Sequence, residues 1–136
     1  MNNLKILVVD DEFASRVKMA TVLKQLGTCE MRDDGWQAVI EFTNALKSGA
    51  PYNLILLDIE MPGMSGSTAL SKIREREKEH GIDDSSRTRI VMVTSHNDRD
   101  NVVNAMRQGC DSYIVKPFTK EAIYEKLKTI GLINNP

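Results

Sequence analysis

The stretch Lys5-Ile-Leu-Val-Val-Asp-Asp11 joins an unbroken aliphatic run to two carboxylates. Such a run, without polar alternation, is typical of a strand buried on both faces, as in a parallel sheet covered by helices. The same arrangement recurs in three later stretches: Asn53–Leu57 before Asp58, Ile90–Val93 before Thr94, and Ser112–Val115 before Lys116. Because the carboxyl ends of parallel strands all point the same way, these polar residues are predicted to meet at one edge of a sheet. Ligands bind in the crevice beyond that edge.

The composition is that of a globular protein and argues against several kinds of partner. A length of 136 residues suffices for one domain with a real core, and we expect residues 1–136 to form a single domain. The formal net charge is −1 with dispersed basic residues, so neither nucleic acid nor a membrane is expected as a partner. Two distant cysteines without a C-x-x-C motif, and no secretory signal, favour a cytoplasmic setting.

Strand and helix patterns alternate five times along the chain, which predicts an α/β fold with a doubly wound, five-stranded parallel sheet and five helices. Apolar periodicity and boundary residues place the helices at Phe13–Leu26, Trp36–Ser48, from about Ala69, Asp98–Gln108 and Thr119–Ile130. The first helix would bury a stripe containing Val17 and end at Gly27. The third would be charged on all sides from Arg74 to Glu79, and the connection Gly81–Arg89 would be an exposed loop without chemistry.

Asp10, Asp11 and Asp58 together suggest a magnesium site. Taken singly, an acid after a strand is ambiguous, since Asp11 could serve only to cap the first helix. Three carboxylates in one crevice repel one another and raise one another's pKa values, and a bound hard cation relieves that repulsion. A donor set of carboxylate oxygens without histidine or thiolate favours Mg2+ over zinc or copper.

A carboxylate beside a metal can also act as a nucleophile and form an aspartyl-phosphate. Phosphoryl transfer needs cations and hydrogen-bond donors around the phosphoryl oxygens, and Lys116 and Thr94 offer an ammonium and a hydroxyl. Taken singly, Lys116 could be a solvated surface lysine and Thr94 a locally bonded hydroxyl. Together, the four strand ends predict a magnesium-dependent phosphoryl-transfer site.

Four motifs resemble those of receiver domains in two-component response regulators: Val8-Val-Asp-Asp-Glu12, Leu57-Asp58 with Met61-Pro-Gly63, Val93-Thr-Ser95, and Tyr113-Ile-Val-Lys-Pro-Phe118. The resemblance covers residues 4–130 and implies a flavodoxin-like fold with strand order 2-1-3-4-5, the order that chemotaxis receivers share. The connection between the third helix and the fourth strand is longer than in compact chemotaxis receivers. Its length resembles that of receivers attached to hybrid kinases.

The resemblance implies a set of site residues with three roles. Asp58 would accept a phosphoryl group from a sensor histidine kinase, and Lys116 and Thr94 would bind the phosphoryl oxygens. The Lys116–Pro117 peptide bond would be cis. Mg2+ would be bound directly by Asp11, through water by Asp10, and also by Asp58 and the backbone carbonyl of Glu60.

The resemblance also implies a two-state switch. Phosphorylation would draw Thr94 inward, Tyr113 would turn into the vacated space, and the surface of the fourth helix, fifth strand and fifth helix would change. Glu60 and His96 flank the pocket and are predicted to tune the lifetime of the acyl phosphate. The residues alone leave Tyr113 open as an ordinary strand aromatic and His96 as a plain loop histidine.

The leading functional expectation is a single-domain response regulator that binds a target protein when phosphorylated. It would catalyse only its own phosphorylation and dephosphorylation, as a monomer or a weak phosphorylation-dependent dimer. The alternative is a phosphorelay carrier that passes the phosphoryl group to a histidine phosphotransfer protein. A phosphatase of the haloacid dehalogenase type is disfavoured, because Glu60 stands where its Asp-x-Asp motif needs a second aspartate.

Overall fold

The computed structural model describes residues 3–95 and 99–134, without the side chains of residues 99 and 101. The strands are β1 (Leu4–Val9), β2 (Gly27–Arg32), β3 (Leu54–Asp58), β4 (Arg89–Thr94) and β5 (Ser112–Val115). The helices are α1 (Phe13–Leu23), α2 (Gly35–Lys47), α3 (Gly66–Glu79), α4 (Arg99–Arg107) and α5 (Lys120–Thr129). Within the described ranges, no helix has the length and hydrophobicity needed to cross a membrane.

The five strands form one sheet in the order β2-β1-β3-β4-β5, and every neighbouring pair is parallel, which confirms the predicted fold class and strand order. The register aligns the carboxyl ends of the four strands that carry the polar residues. Val9 pairs with Leu57, Asp58 with Val93, and Thr94 with Val115. The residues that end or directly follow these strands therefore lie at the same level of the sheet.

Each face of the sheet has its own apolar core, which explains why the strand sequences are aliphatic without alternation. Leu7 and Val9 of β1 pack with α2 and α3 on one face, whereas Ile6 and Val8 pack with α1 and α5 on the other. All four side chains are fully buried. Burial on both faces removes the polar positions that a half-exposed strand would show.

The predicted end of the first helix was wrong. The helix α1 ends at Leu23, a short 3-10 turn covers Lys24–Leu26, and Gly27 is the first residue of β2 rather than a helix stop. A Cβ atom at Gly27 would lie 1.9 Å from the carbonyl oxygen of Leu4, so glycine is required by the close approach to β1. Val17 was predicted to lie on the buried stripe of this helix but is exposed, because α1 is oriented so that Met19 packs in the core instead.

Two predictions for the segment from α3 to β4 were also wrong in part. Arg74 and Glu77, which were expected on the charged surface of α3, are buried, and so is Thr88 in the connection that was expected to be exposed. The Arg74 guanidinium donates to Glu77 Oε1 at 2.7 Å, to the Thr88 carbonyl at 2.8 Å and to the Gly109 carbonyl at 2.9 Å. It also donates to Asp111 Oδ2 at 3.0 Å. These bonds join α3, the start of β4 and the α4–β5 turn at the amino ends of the strands, opposite the predicted site.

Candidate metal and phospho-acceptor site

The site is built from the carboxyl ends of four adjacent strands. Asp10 and Asp11 directly follow β1, Asp58 and Thr94 are the last residues of β3 and β4, and Lys116 directly follows β5. The structure thus brings together the polar residues that the sequence predicted to meet. The Lys116–Pro117 bond is cis, as predicted.

Three carboxylates form the centre of the site. One oxygen atom each of Asp10, Asp11 and Asp58 lies within 4.8 Å of the others. Asp10 is fully buried and Asp58 nearly so, whereas Asp11 is exposed, so a cation could reach the cluster from the side of Asp11. This oxygen-only donor set suits a hard divalent cation such as Mg2+.

Backbone amides orient two of these carboxylates. Asp10 Oδ1 accepts a hydrogen bond from the Glu12 amide at 2.9 Å, and Asp58 Oδ1 accepts one from the Glu60 amide at 3.3 Å. Asp10 Oδ2 is buried and makes no well-oriented hydrogen bond, although the Lys116 ammonium lies 2.8 Å away. A buried carboxylate oxygen that the protein does not fully satisfy fits a role in cation binding.

Lys116 is the cation within the cluster. Its Nζ lies 2.8 Å from Asp10 Oδ2 and 3.8 Å from Asp58 Oδ2. Burial lowers the pKa of Lys116, but the close contact with the Asp10 carboxylate and the negative charges of Asp58 and Asp10 outweigh burial and raise it. The ammonium therefore stays charged and offsets part of the negative charge of the neighbouring carboxylates.

The environment of Asp58 disfavours its charged form. Burial, followed by the negative charge of Asp10, raises the pKa of Asp58 to about 7, against the opposing effects of Lys116 and the Glu60 amide. The folded protein therefore holds a proton on Asp58 more tightly than the unfolded chain does. A cation that displaced this proton would restore the carboxylate, the form that can act as a nucleophile.

This raised pKa predicts a pH-dependent effect of Asp58→Asn. In the wild type without divalent ions, the stability contributed by the bound proton is complete at acidic pH and is lost as the pH rises through about 7. The free energy of unfolding of the variant should therefore exceed that of the wild type by about 1–3 kcal/mol at pH 8, with a smaller difference at pH 5. Denaturant unfolding in EDTA measures both values.

Asp33→Asn is the matched control, because Asp33 is an exposed carboxylate. It should change the free energy of unfolding little at either pH. A stabilisation by Asp58→Asn that was equal at pH 5 and pH 8 would contradict the account, because it could not come from titration of this carboxyl.

Glu60 joins the loop after β3 to the end of β4. Its Oε1 accepts a hydrogen bond from the Thr94 hydroxyl at 2.5 Å, and its Oε2 accepts one from the Ser95 hydroxyl at 2.6 Å. The sequence placed Glu60 beside the pocket but did not indicate these partners, because they depend on the path of the loop. His96, the other predicted tuning residue, lies outside the described residues.

Gly66 supports the site and was missed in the sequence. A Cβ atom at this position would lie 2.0 Å from the carbonyl oxygen of Asp58, and the Gly66 amide donates to the Ile59 carbonyl at 2.8 Å. The start of α3 therefore packs directly on the backbone of Asp58. Ser65 caps the helix by accepting a hydrogen bond from the Thr68 amide.

Tyr113, the predicted switch residue, is a half-buried side chain of β5. It packs against the core on the α2–α3 face of the sheet, and the Lys126 ammonium of α5 lies 4.7 Å from its ring centroid. Tyr113 pairs in register with Met92 of β4, two residues before Thr94. It therefore stands between the end of β4 and the surface of α5.

The chain matches known proteins over most of its length. The family model "Response regulator receiver domain" matches residues 6–128. Chemotaxis protein CheY-3 of Vibrio cholerae is 34% identical over 130 residues, covering 94% of this chain and 92% of that protein. Probable histidine kinase 2 of Oryza sativa is 31% identical over 135 residues, covering 92% of this chain but 12% of the kinase.

The fold also matches solved structures. The receiver domain of the histidine kinase CKI1 from Arabidopsis thaliana, complexed with Mg2+ and BeF3−, has a TM-score of 0.76 and 29% sequence identity. The match covers 92% of this chain and 90% of that one. From the family match, these relatives and the sheet topology, the chain belongs to the receiver domains of two-component response regulators.

Proposed function

We propose that the chain accepts a phosphoryl group from a sensor histidine kinase onto Asp58 in the presence of Mg2+, and then binds a target protein through its altered surface. The observation that carries this proposal is the cluster of Asp10, Asp11 and Asp58 with the Lys116 ammonium beside it. The carboxylates offer a cation site and a nucleophile, and the ammonium offers a partner for phosphoryl oxygens.

In the proposed transfer, a carboxylate oxygen of Asp58 forms a bond to phosphorus while the P–N bond of a phosphohistidine breaks. The electron pair of that bond remains on the imidazole, which takes up a proton and leaves as neutral histidine. The product is an acyl phosphate on Asp58. Lys116 and Thr94 neutralise or hydrogen-bond the phosphoryl oxygens, whose negative charge would otherwise repel Asp10.

The proposed Mg2+ ligands are Asp11, Asp58 and the backbone carbonyl of Glu60, with Asp10 binding the ion through water. The ion would supply positive charge that offsets the carboxylates and the phosphoryl oxygens. Support comes from the buried, incompletely bonded Asp10 Oδ2 and from the similar receiver domain of CKI1, which is complexed with Mg2+ and BeF3−.

The proposed output is a change at Tyr113 and the surface formed by α4, β5 and α5. Tyr113 is only half-buried, and its ring already contacts Lys126 of α5, so a change of its rotamer would alter that surface. The new contact between the Thr94 hydroxyl and the phosphoryl group would favour one rotamer of Tyr113 over the other.

The test is the intact mass of the protein after incubation with phosphoramidate and MgCl2. The wild type should gain the mass of one phosphoryl group, whereas Asp58→Asn should gain none because it lacks the nucleophile. Asp33→Asn should behave like the wild type. An unmodified wild type, or an Asp58→Asn variant that is modified to the same extent, would refute the proposal.

A phosphorelay carrier is the second candidate, and the similarity to a histidine kinase favours it. A carrier would return the phosphoryl group from Asp58 to a histidine phosphotransfer protein. Incubating the phosphorylated chain with purified histidine phosphotransfer proteins and measuring the label on each protein separates the two functions. Rapid loss of label to the histidine protein supports a carrier, whereas label that stays on Asp58 supports a target-binding regulator.

A further inference from the structure

The Glu60 side chain holds two hydroxyl groups at the end of β4. Its Oε1 accepts a hydrogen bond from the Thr94 hydroxyl at 2.5 Å, and its Oε2 accepts one from the Ser95 hydroxyl at 2.6 Å. Thr94 is fully buried. Hydrogen bonds to a carboxylate are stronger than those between neutral groups, so this contact favours one position of the β4 end.

The Thr94 hydroxyl cannot serve Glu60 and a phosphoryl group at the same time, because a hydroxyl donates one hydrogen bond. Under the proposed function, this hydroxyl donates to an oxygen of the phosphoryl group on Asp58. Phosphorylation must therefore break the bond between Thr94 and Glu60. Two anionic acceptors, the Glu60 carboxylate and the phosphoryl group, compete for the same donor.

We propose that Glu60 is an autoinhibitory latch, whose carboxylate holds Thr94 and Ser95 in the resting position until a phosphoryl group displaces it. The inference rests on the proposed function and adds a second role for Glu60 besides the predicted effect on hydrolysis. The latch sets the equilibrium between resting and active states, because it stabilises only the state in which the Thr94 hydroxyl donates to Glu60.

Removal of the latch should favour the active state. We expect Glu60→Ala to bind the phosphoryl mimic beryllofluoride, formed from BeCl2 and NaF with MgCl2, about tenfold more tightly than the wild type, an effect the size of one net hydrogen bond. Without beryllofluoride, the NMR signals of Tyr113 in Glu60→Ala should move toward their positions in the beryllofluoride-saturated wild type. A role of Glu60 in stability alone would not move them in that direction.

Ser95→Ala separates the latch from a general effect of negative charge. It removes the hydrogen bond from Ser95 to Glu60 but keeps the carboxylate. It should tighten beryllofluoride binding about threefold, which is part of the free energy of one net hydrogen bond. It also tests the proposal if Glu60→Ala fails to fold. Glu75→Ala, which removes an exposed carboxylate from α3, should bind like the wild type.

The outcomes distinguish the latch from the proposed function. Wild-type affinity and unmoved Tyr113 signals in both Glu60→Ala and Ser95→Ala would overturn the latch alone. Tighter binding in Glu60→Ala with wild-type affinity in Ser95→Ala would also overturn it, because charge removal would then explain the effect. A wild type that binds no beryllofluoride and takes no phosphoryl group would overturn the latch together with the proposed function.

Discussion

Lys116→Met is expected to slow the phosphorylation of Asp58 by about 100- to 1,000-fold, the usual effect of removing one positioned donor from a reacting oxygen. The Lys116 ammonium lies 3.8 Å from Asp58 Oδ2, where it can reach an oxygen of a group attached to Asp58. Methionine keeps an unbranched apolar stem but lacks the charge, so the loss should come from the ammonium itself.

The same substitution should leave Mg2+ bound at least as tightly as in the wild type. The Lys116 ammonium lies 2.8 Å from Asp10 Oδ2 and repels a cation at the carboxylate cluster. Removing it makes the cluster more negative, which favours a divalent cation. The rate of phosphorylation should therefore fall, while the affinity for Mg2+ should stay the same or rise.

Intact-mass kinetics with phosphoramidate measure the first effect, and calorimetric titration with MgCl2 measures the second. Lys47→Met, which replaces an exposed lysine at the end of α2, should change neither. Parallel loss of cation binding and phosphorylation in Lys116→Met would contradict the account, since Lys116 would then be needed to organise the carboxylates rather than to bind the phosphoryl group.

Arg74→Met is expected to lower the free energy of unfolding by about 3–5 kcal/mol, because removing one partner leaves buried charges without compensation. Arg74 and Glu77 pair at 2.7 Å with side chains 10% and 4% exposed. Asp111 would keep its pair with Arg87 at 2.8 Å, whereas Glu77 would keep, among the described residues, only the Thr88 amide as a donor. Denaturant unfolding measures the difference.

Arg76→Met is the matched control on the same helix. Arg76 pairs with Glu79 at 3.4 Å with side chains 31% and 53% exposed, and exposed pairs of this kind contribute about 0.2–1 kcal/mol. The double variant Arg74→Met with Glu77→Gln should recover part of the lost stability, since it also removes the stranded charge. Equal losses in Arg74→Met and Arg76→Met would show that burial of the network has no energetic consequence.

The alternation of strands and helices could be predicted because each central strand is buried on both faces and must be aliphatic throughout. The same reasoning placed Asp10, Asp58 and Lys116 at one edge, since parallel strands end on the same side of the sheet. The start of the fifth helix at Thr119 could be predicted because helix capping is local, and the Thr119 hydroxyl accepts a hydrogen bond from the Ala122 amide at 3.0 Å.

The errors have a common cause, which is contact between residues distant in sequence. Gly27 looks like a helix stop in the sequence, but its role is set by the carbonyl of Leu4 across the sheet. Arg74 looks like a surface residue in a charged helix, but it is buried by Thr88 and Asp111. Helical periodicity carries no information about which distant chain segment covers a given face.

The sequence by itself therefore determined the doubly wound sheet and the set of polar residues at its carboxyl edge, because both follow from burial and from strand direction. Only the tertiary structure decided how those residues are engaged. The Lys116 ammonium pairs with Asp10, Gly66 packs against the backbone of Asp58, and the Thr94 hydroxyl donates a hydrogen bond to Glu60. Such contacts depend on loop paths and strand register at a scale of a few ångströms, which local patterns do not specify.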